Sequence, residues 1–498
     1  MARSSSRVIT KVFLISVCVF AVLARPEDAK VQNKLSAVKS EKFATTLPAT
    51  TVKKVDLQFS SIQQDESFPN VSEDVVDEAF NDMGFMRSEP YKCSNGEGLC
   101  DPTGQQIKNL NISSQTIKYS PDWTAENKTR SKRMDKLNNL ACYYLMPSDY
   151  TLETLYPDEI NPALCTHLIV TAARVQNNRV YFETTYDEEI LRRAVNLREQ
   201  NPKLKVLLSL QHFSDGSHSN EGFPGVVANK DNLDQFIFHV VSVVNEFYLD
   251  GIDINWQFPS WPLLNLEEKY GFAKLLETLR YHLPDSILTA AVAAPIRIIK
   301  QSYLMYPLAN FVDFINVMAY DYFSYRWYFQ ITGPNSPLYS PRNESEYFQD
   351  LNINSSIHYW ISNGIPTEKI LLGMPTHGHS YKLKNEDNNG FNAPTTGLGI
   401  GEGGYVTFSE SCEFKSHPNA TTVFDLETLT PYAYHKNDWI SFDDEKSLAF
   451  KVDYATTLNL GGAMVYSLNT DDYSGSSQCS ITKFPLTSII QLALNNNV

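Results

Sequence analysis

The chain has 498 residues, more than a common domain, and its 42% apolar and 12% aromatic residues allow a large buried core. Its formal net charge of -15 argues against a surface for nucleic acid or anionic membranes. Neutral glycans or proteins are therefore the partners that this composition favours.

The N-terminus has the layout of a secretory signal peptide. Arg3, Arg7 and Lys11 precede an apolar run that ends at Ala24 and is shorter than the ~20 residues a membrane span needs. We therefore expect residues 1–24 to be removed, the protein to be secreted to an extracellular location, and no later segment to cross a membrane. Six Asn-x-Ser/Thr sequons agree with this route and are the expected glycosylation sites: Asn70, Asn111, Asn127, Asn343, Asn354 and Asn419.

Residues 25–135 are polar and lack a sustained helix or strand period, so we expect a largely flexible N-terminal extension. Near its end, Arg130, Ser131, Lys132 and Arg133 match the RxKR pattern that secretory proprotein convertases cleave. A solvated basic patch in a linker would have the same composition, and the residues alone leave both interpretations open.

From residue 136 to the C-terminus, short apolar β-branched runs alternate with amphipathic helical stretches, a pattern typical of βα units around a parallel sheet. Eight such runs predict a (β/α)8 TIM barrel, an α/β fold whose functional face lies at the carboxyl ends of the strands. The predicted strands are LACYYLM at 140, LCTHLIVTA at 164, KVLLSL at 205, LDGIDIN at 249, LTAAVAA at 288, FINVMAY at 314, ILLGMP at 370 and GGAMVYSL at 461.

The fourth of these strands continues as LDGIDINWQFP, in which Asp253, Asn255 and Gln257 are spaced to project from one face. The string resembles the DGxDxDxE signature of glycoside hydrolase family 18, the chitinase family, whose members use the substrate's own acetamido group. The resemblance implies that Gln257 replaces the acidic Glu and Asn255 the neighbouring Asp. An amide gives no proton near neutral pH, and a positioned general acid contributes roughly 100 to 10,000-fold in rate. We therefore predict no catalytic residues and no enzyme activity, with Asp250 and Asp253 retained as barrel-closing structure.

Further motifs carry the same resemblance over residues 137–494. MAYDY, residues 318–322, matches the sixth-strand MxYD motif, whose Tyr and Asp contact the N-acetyl group in active relatives. Ser209 begins a degenerate SxGG motif, in which Gln211 and His212 are expected to narrow the cleft. The structural alternative for MAYDY is a buried Tyr that is hydrogen-bonded to a neighbouring carboxylate. For Trp327, in the loop after this motif, the alternative is an ordinary packing role. The predicted glycan-binding candidates are Tyr320, Asp321, Trp327, Tyr466 and Trp256.

The segment between the seventh and eighth strands, residues 381–440, is too long for one helical crossover and resembles the small α+β insertion of longer chitinase-like proteins. Just before it, His377 and His379 lie two residues apart. Because the local sequence supplies no third ligand, we predict hydrogen-bonding residues at the barrel mouth, with no metal and no cofactor.

After removal of Cys18, an even number of cysteines in a secreted chain suggests three disulfides, with a connectivity that the spacing leaves open. The family resemblance implies pairing of Cys142 with Cys165 and of Cys412 with Cys479. Cys93 and Cys100 would then form a local loop.

Three functions follow from these observations. The leading prediction is a non-catalytic, growth-factor-like protein similar to insect imaginal disc growth factors and chitinase-like lectins. It would bind chitin or N-acetylglucosamine oligomers, or a protein receptor, in growth, remodelling or immunity. The first alternative is an active chitinase or N-acetylglucosaminidase that uses a displaced acid, Glu402 or Glu413. The second is a protein-binding scaffold with a vestigial sugar groove.

Overall fold

The structure is a computed structural model that describes residues 91–92, 99–100, 139–147, 154–213, 222–342, 344–345 and 348–496. The described residues fall into two units, the first with residues 91–92 and 99–100 and the second with the rest. In the first unit, β1 (Tyr91–Lys92) pairs antiparallel with β2 (Leu99–Cys100). Several predicted features lie outside the described residues: the signal peptide, most of the extension 25–135, the basic segment 130–133, Cys93 and the sequons at Asn70, Asn111, Asn127 and Asn343.

The second unit is built on a closed barrel of eight parallel strands. Its ring is completed because β17 (Gly462–Tyr466) and β4 (His167–Gln176) both pair with β3 (Asn139–Leu145). All eight predicted strands are present, so the predicted (β/α)8 fold is confirmed. The short strand β5 (Arg179–Tyr181) extends β4 antiparallel. The barrel strands are β3 (Asn139–Leu145), β4 (His167–Gln176), β6 (Lys205–Phe213), β7 (Gly251–Gln257), β8 (Ile287–Ala293), β9 (Phe314–Met318), β10 (Ile370–Pro375) and β17 (Gly462–Tyr466).

Helices surround the barrel, and polar side chains fix where several of them begin. Thr184, Asn229 and Asn265 each accept a hydrogen bond from a backbone N–H in the first turn of the following helix. The helices are α1 (Thr185–Asn196), α2 (Gly222–Val227), α3 (Lys230–Glu246), α4 (Leu266–His282), α5 (Ile296–Ser302), α6 (Met305–Phe311), α7 (Ile353–Ser362), α8 (Phe408–Ser416), α9 (Glu445–Thr457) and α10 (Pro485–Asn496).

An antiparallel sheet lies between β10 and β17 and forms the α+β insertion together with α8. Its strand order is β12-β11-β16-β15-β14, with β13 also paired to β11. The insertion therefore begins at Gly378, three residues before the predicted boundary. The strands are β11 (Gly378–Leu383), β12 (Thr395–Leu398), β13 (Tyr405–Val406), β14 (Thr421–Asp425), β15 (Thr430–His435) and β16 (Asp438–Ser441).

Two disulfides lie in the part of the chain that the structure describes. Cys142 on β3 is bonded to Cys165, and Cys412 on α8 is bonded to Cys479 beyond the last barrel strand. These are the two pairs that the family resemblance implied. Among the described residues, no helix has the length and apolar character needed to cross a membrane.

Candidate functional site

Asp253 lies at the centre of a polar network inside the barrel and is fully buried. Its carboxylate accepts hydrogen bonds from Tyr143 at 2.9 Å, Ser209 at 2.8 Å, Thr289 at 2.7 Å and Asn316 at 3.3 Å. Burial raises the pKa of Asp253 above its ordinary value, although these hydrogen bonds oppose the shift. Because its donors come from four different strands, Asp253 acts as a tie across the barrel interior.

Asn255 and Gln257 follow Asp253 on the same face of β7, toward the carboxyl end of the strand. Gln257 Nε2 donates to Asn255 Oδ1 at 3.0 Å and lies 3.4 Å from Met318 Sδ. Both amides are buried, with Gln257 7% exposed. The register pairs Gln211 of β6 with Asn255, so a third amide lies at this level of the barrel. The end of β7 thus presents hydrogen-bonding amides held against one another.

Asp250 lies at the opposite end of β7, away from this row. Its carboxylate accepts hydrogen bonds from Arg198 and Lys205, both at 3.0 Å, and from the backbone N–H of Val206 at 2.9 Å. The amino end of a TIM-barrel strand faces away from the functional face. Asp250 therefore secures strand ends and does not reach the groove.

Three tyrosines form an aromatic layer at the carboxyl ends of the strands. Tyr320 stacks on Tyr466 with ring centroids 5.7 Å apart, and Tyr466 in turn contacts Tyr143 at 5.7 Å. The Tyr320 hydroxyl lies 3.9 Å from Met464 Sδ. The structural alternative for MAYDY, a buried Tyr bonded to the adjacent carboxylate, is therefore not what the fold shows. Tyr466 remains partly exposed, whereas Tyr320 is largely buried.

Asp321 joins the two histidines that follow β10. Its Oδ1 atom lies 2.8 Å from His377 Nε2 and 2.7 Å from His379 Nε2. Burial would raise the pKa of Asp321, but the two imidazoles outweigh it through charge and hydrogen bonding and hold that pKa well below its usual range. The fold therefore supplies the third ligand-type group that the local sequence around the histidines lacks.

The signal for this cluster was present in two separate motifs. MAYDY ends β9 and PTHGH ends β10, and these strands are parallel neighbours in the barrel. Carboxyl ends of neighbouring parallel strands meet at one edge of a sheet. Sequence reasoning considered the two motifs separately and missed their contact.

Trp327 is the most exposed of the glycan-binding candidates, at 63%. It lies in a tight turn closed by a hydrogen bond from Phe329 N to Arg326 O at 2.9 Å, and its ring contacts Tyr328 edge-on at 5.4 Å. The turn is anchored on the insertion, because Tyr325 packs against the core of the insertion sheet. A rigid loop thus presents an open aromatic face.

Trp256 is wrong as a glycan-binding candidate. It is 1% exposed and stacks on Phe223 of α2, with Phe272 of α4 at its edge. Successive side chains of a strand alternate between faces, so Trp256 points toward the helices while Gln257 points inward. His212 shares this outward face and contacts Trp256, so of the two expected cleft-narrowing residues only Gln211 faces the barrel interior.

A barrel of this topology, with a β7 row of polar side chains and an α+β insertion after its seventh strand, defines a chitinase-like architecture. The family model for glycosyl hydrolases family 18 matches residues 139–471, and the chain belongs to this family. Chitotriosidase-1 of Mus musculus is 32% identical over 372 residues, which cover 72% of this chain and 78% of that protein. Chitinase-3-like protein 2 of Homo sapiens is 32% identical over 376 residues, which cover 72% and 93%.

The solved structure of human YKL-39 is similar to this chain with a TM-score of 0.66 and 30% sequence identity. The match covers 72% of this chain and 100% of that one. YKL-39 is described as a pseudo-chitinase with retained chitooligosaccharide binding properties. The family of this chain thus includes at least one member that binds the sugar without being a true chitinase.

Proposed function

We propose that this protein is a secreted, non-catalytic chitinase-like protein that binds chitin or N-acetylglucosamine oligosaccharides. The observation that carries the proposal is the buried amide pair of Asn255 and Gln257, 3.0 Å apart at the end of β7. Family resemblance places the carboxylate pair of an active chitinase at these positions. Two amides bonded to one another have no proton to give to a glycosidic oxygen near neutral pH.

Aromatic groups support retention of sugar binding. Tyr466 offers a partly exposed ring that stacks on Tyr320, and Trp327 offers an open indole in the loop after β9. Such rings bind the apolar faces of sugars without needing a catalytic acid. YKL-39 gives the precedent, since it is a relative that retains chitooligosaccharide binding.

The enzyme alternative depends on a displaced acid. Glu402 and Glu413 are both exposed residues of the insertion, and Glu413 lies on α8. Both carboxyl groups are open to water, whereas a catalytic acid typically lies in an enclosed site. Nothing in the geometry favours either residue over the amide row.

The deciding experiment is a calorimetric titration of the full secreted chain with chitin oligomers of four to six sugars. Hydrolysis of a fluorogenic chitotrioside is measured on the same samples. Binding without turnover supports the proposal, whereas turnover that is lost in Glu402→Gln or Glu413→Gln refutes it in favour of the displaced-acid enzyme. An absence of both shifts the function to a protein receptor, and a receptor pull-down that survives excess oligomer would then identify the scaffold alternative.

We further propose that the secreted chain lacks residues 1–24, carries N-linked glycan and is open to cleavage after Arg133. Asn419 lies exposed in a turn, whereas Asn354 is partly buried and its Oδ1 accepts a hydrogen bond from Tyr454. We therefore expect Asn419 to be modified more completely than Asn354. N-terminal sequencing of the secreted protein, and its mass before and after enzymatic deglycosylation, test all three statements.

A further inference from the structure

Three side chains that metals favour as ligands converge at the barrel mouth. Asp321, His377 and His379 each offer one ligand atom, and these atoms lie within 4.8 Å of one another. Both histidines are nearly fully buried, while the Asp321 side chain is 23% exposed. A cation entering the cluster would therefore meet Asp321 first and the imidazoles behind it.

The hydrogen bonding of His377 orients it as a ligand. Its Nδ1 lies 3.3 Å from the backbone carbonyl of Tyr466, and a carbonyl can only accept, so Nδ1 carries the proton in this contact. The other ring nitrogen, Nε2, faces the Asp321 carboxylate 2.8 Å away. Metal-bound histidines show this same pattern, with the second nitrogen held by a backbone carbonyl.

The surrounding structure holds the cluster in place before any ion binds. Asp321 adopts a left-handed backbone conformation with φ of 58°, which is uncommon for a residue other than glycine. The fully buried Asn335 accepts from the Asp321 N–H at 2.9 Å and donates to the His377 carbonyl at 3.0 Å, which couples the two ligand-bearing segments. Tyr405 stacks on His377 with centroids 4.5 Å apart.

We propose that Asp321, His377 and His379 form a binding site for a divalent transition-metal ion, with Zn²⁺ the best match. Two imidazoles and one carboxylate are a common zinc ligand set, with the remaining tetrahedral position left to water or another oxygen ligand. Bonds of about 2.0–2.2 Å at tetrahedral angles hold ligand atoms about 3.4 Å apart. The distances of 2.8 Å and 2.7 Å from Asp321 Oδ1 to the two histidine nitrogens therefore have to lengthen when an ion binds. The ligand set does not require glycan in the groove, although Asp321 is also one of the predicted glycan-binding residues.

The test uses the full secreted chain, stripped with EDTA and dialysed. Zn²⁺ is titrated in competition with a fluorescent zinc chelator, and bound metal is counted by mass spectrometry of the digested protein. We expect about one ion per chain, and a loss of affinity on the order of 100-fold or more in Asp321→Asn and His379→Gln. Co²⁺ loading should give the visible absorption spectrum of tetrahedral coordination.

A second histidine pair in the chain provides the matched control. The rings of His417 and His435 stack at 4.0 Å on the insertion, outside the cluster. The double variant His417→Gln with His435→Gln should bind Zn²⁺ as the unaltered protein does. Loss of binding in this control with full binding in His379→Gln would overturn the proposal, as would sub-stoichiometric binding by the unaltered chain. Equal melting temperatures in EDTA for all variants and the unaltered protein separate ligand loss from misfolding.

Discussion

Replacing Trp327 by Ala tests the sugar-binding proposal at the residue whose exposed surface gives the clearest expected loss of affinity. The residue is 63% exposed. A large aromatic residue has up to about 250 Å² of surface, so roughly 160 Å² of Trp327 remains open, and a sugar on one ring face would cover about half of that. At about 25 cal/mol per Å², this burial contributes ~2 kcal/mol, or roughly 30-fold in the dissociation constant.

The assay is calorimetric titration of both proteins with the same chitin oligomer, at one protein concentration and one metal content. Tyr281→Ala is the matched control, because Tyr281 is also largely open, at 78% exposed, but lies on the last turn of α4, outside the barrel. We expect Trp327→Ala to weaken binding and Tyr281→Ala to leave it unchanged. Unchanged affinity in Trp327→Ala, with binding still lost in a Tyr466→Ala variant, would show that the loop takes no part in the site.

Three further predictions concern catalysis, the core and pH. Asn255→Asp combined with Gln257→Glu should yield only weak chitotrioside hydrolysis, because Gln211 still narrows the cleft and a substrate misplaced by about 1 Å reacts on the order of 100-fold more slowly. Near-normal rates would contradict the expected narrowing of the cleft. Lys451 and Asp443 form a fully buried ion pair at 2.5 Å, so Lys451→Ala should lower the urea-unfolding free energy by about 3–5 kcal/mol, most of which Lys451→Met with Asp443→Leu should restore. Burial raises the pKa of Asp471 to about 6 in the folded chain, above its unfolded value of about 4. Its contribution to stability is thus complete below about pH 4 and is lost as the pH rises through 6, and Asp471→Asn should remove that slope from unfolding curves measured between pH 4 and 7.

The barrel was predictable because its strands are short, rich in β-branched residues and separated by helical stretches. The row of Asp253, Asn255 and Gln257 on β7 was predictable because side chains alternate along a strand, which determines which residues share a face. The same alternation, applied to Trp256, would have excluded it from the groove. Its selection rested on residue type alone, and the structure places it between α2 and α4.

The contact of Asp321 with His377 and His379 could not be read from local spacing, since 56 residues separate the first two. It required the strand order, which makes β9 and β10 neighbours. The family resemblance implied this strand order without stating which residues it brings together. An interpretation that placed the carboxyl ends of successive strands side by side would have brought the three side chains together.

Asp321 connects the two proposals made for this groove. Family resemblance predicts that it contacts an N-acetyl group, yet its Oδ1 atom is already engaged by both imidazoles. A sugar amide that donates to Asp321 must use the other carboxylate oxygen or displace a histidine, and a bound Zn²⁺ would change the charge that the amide meets. If either ligand alters the affinity of the other, linkage requires the effect to be reciprocal and equal in free energy. Glycan affinities measured on protein of undefined metal content would therefore average two states. Chelated and zinc-loaded samples have to be titrated separately. Only an absence of sugar binding in both samples counts against the lectin function.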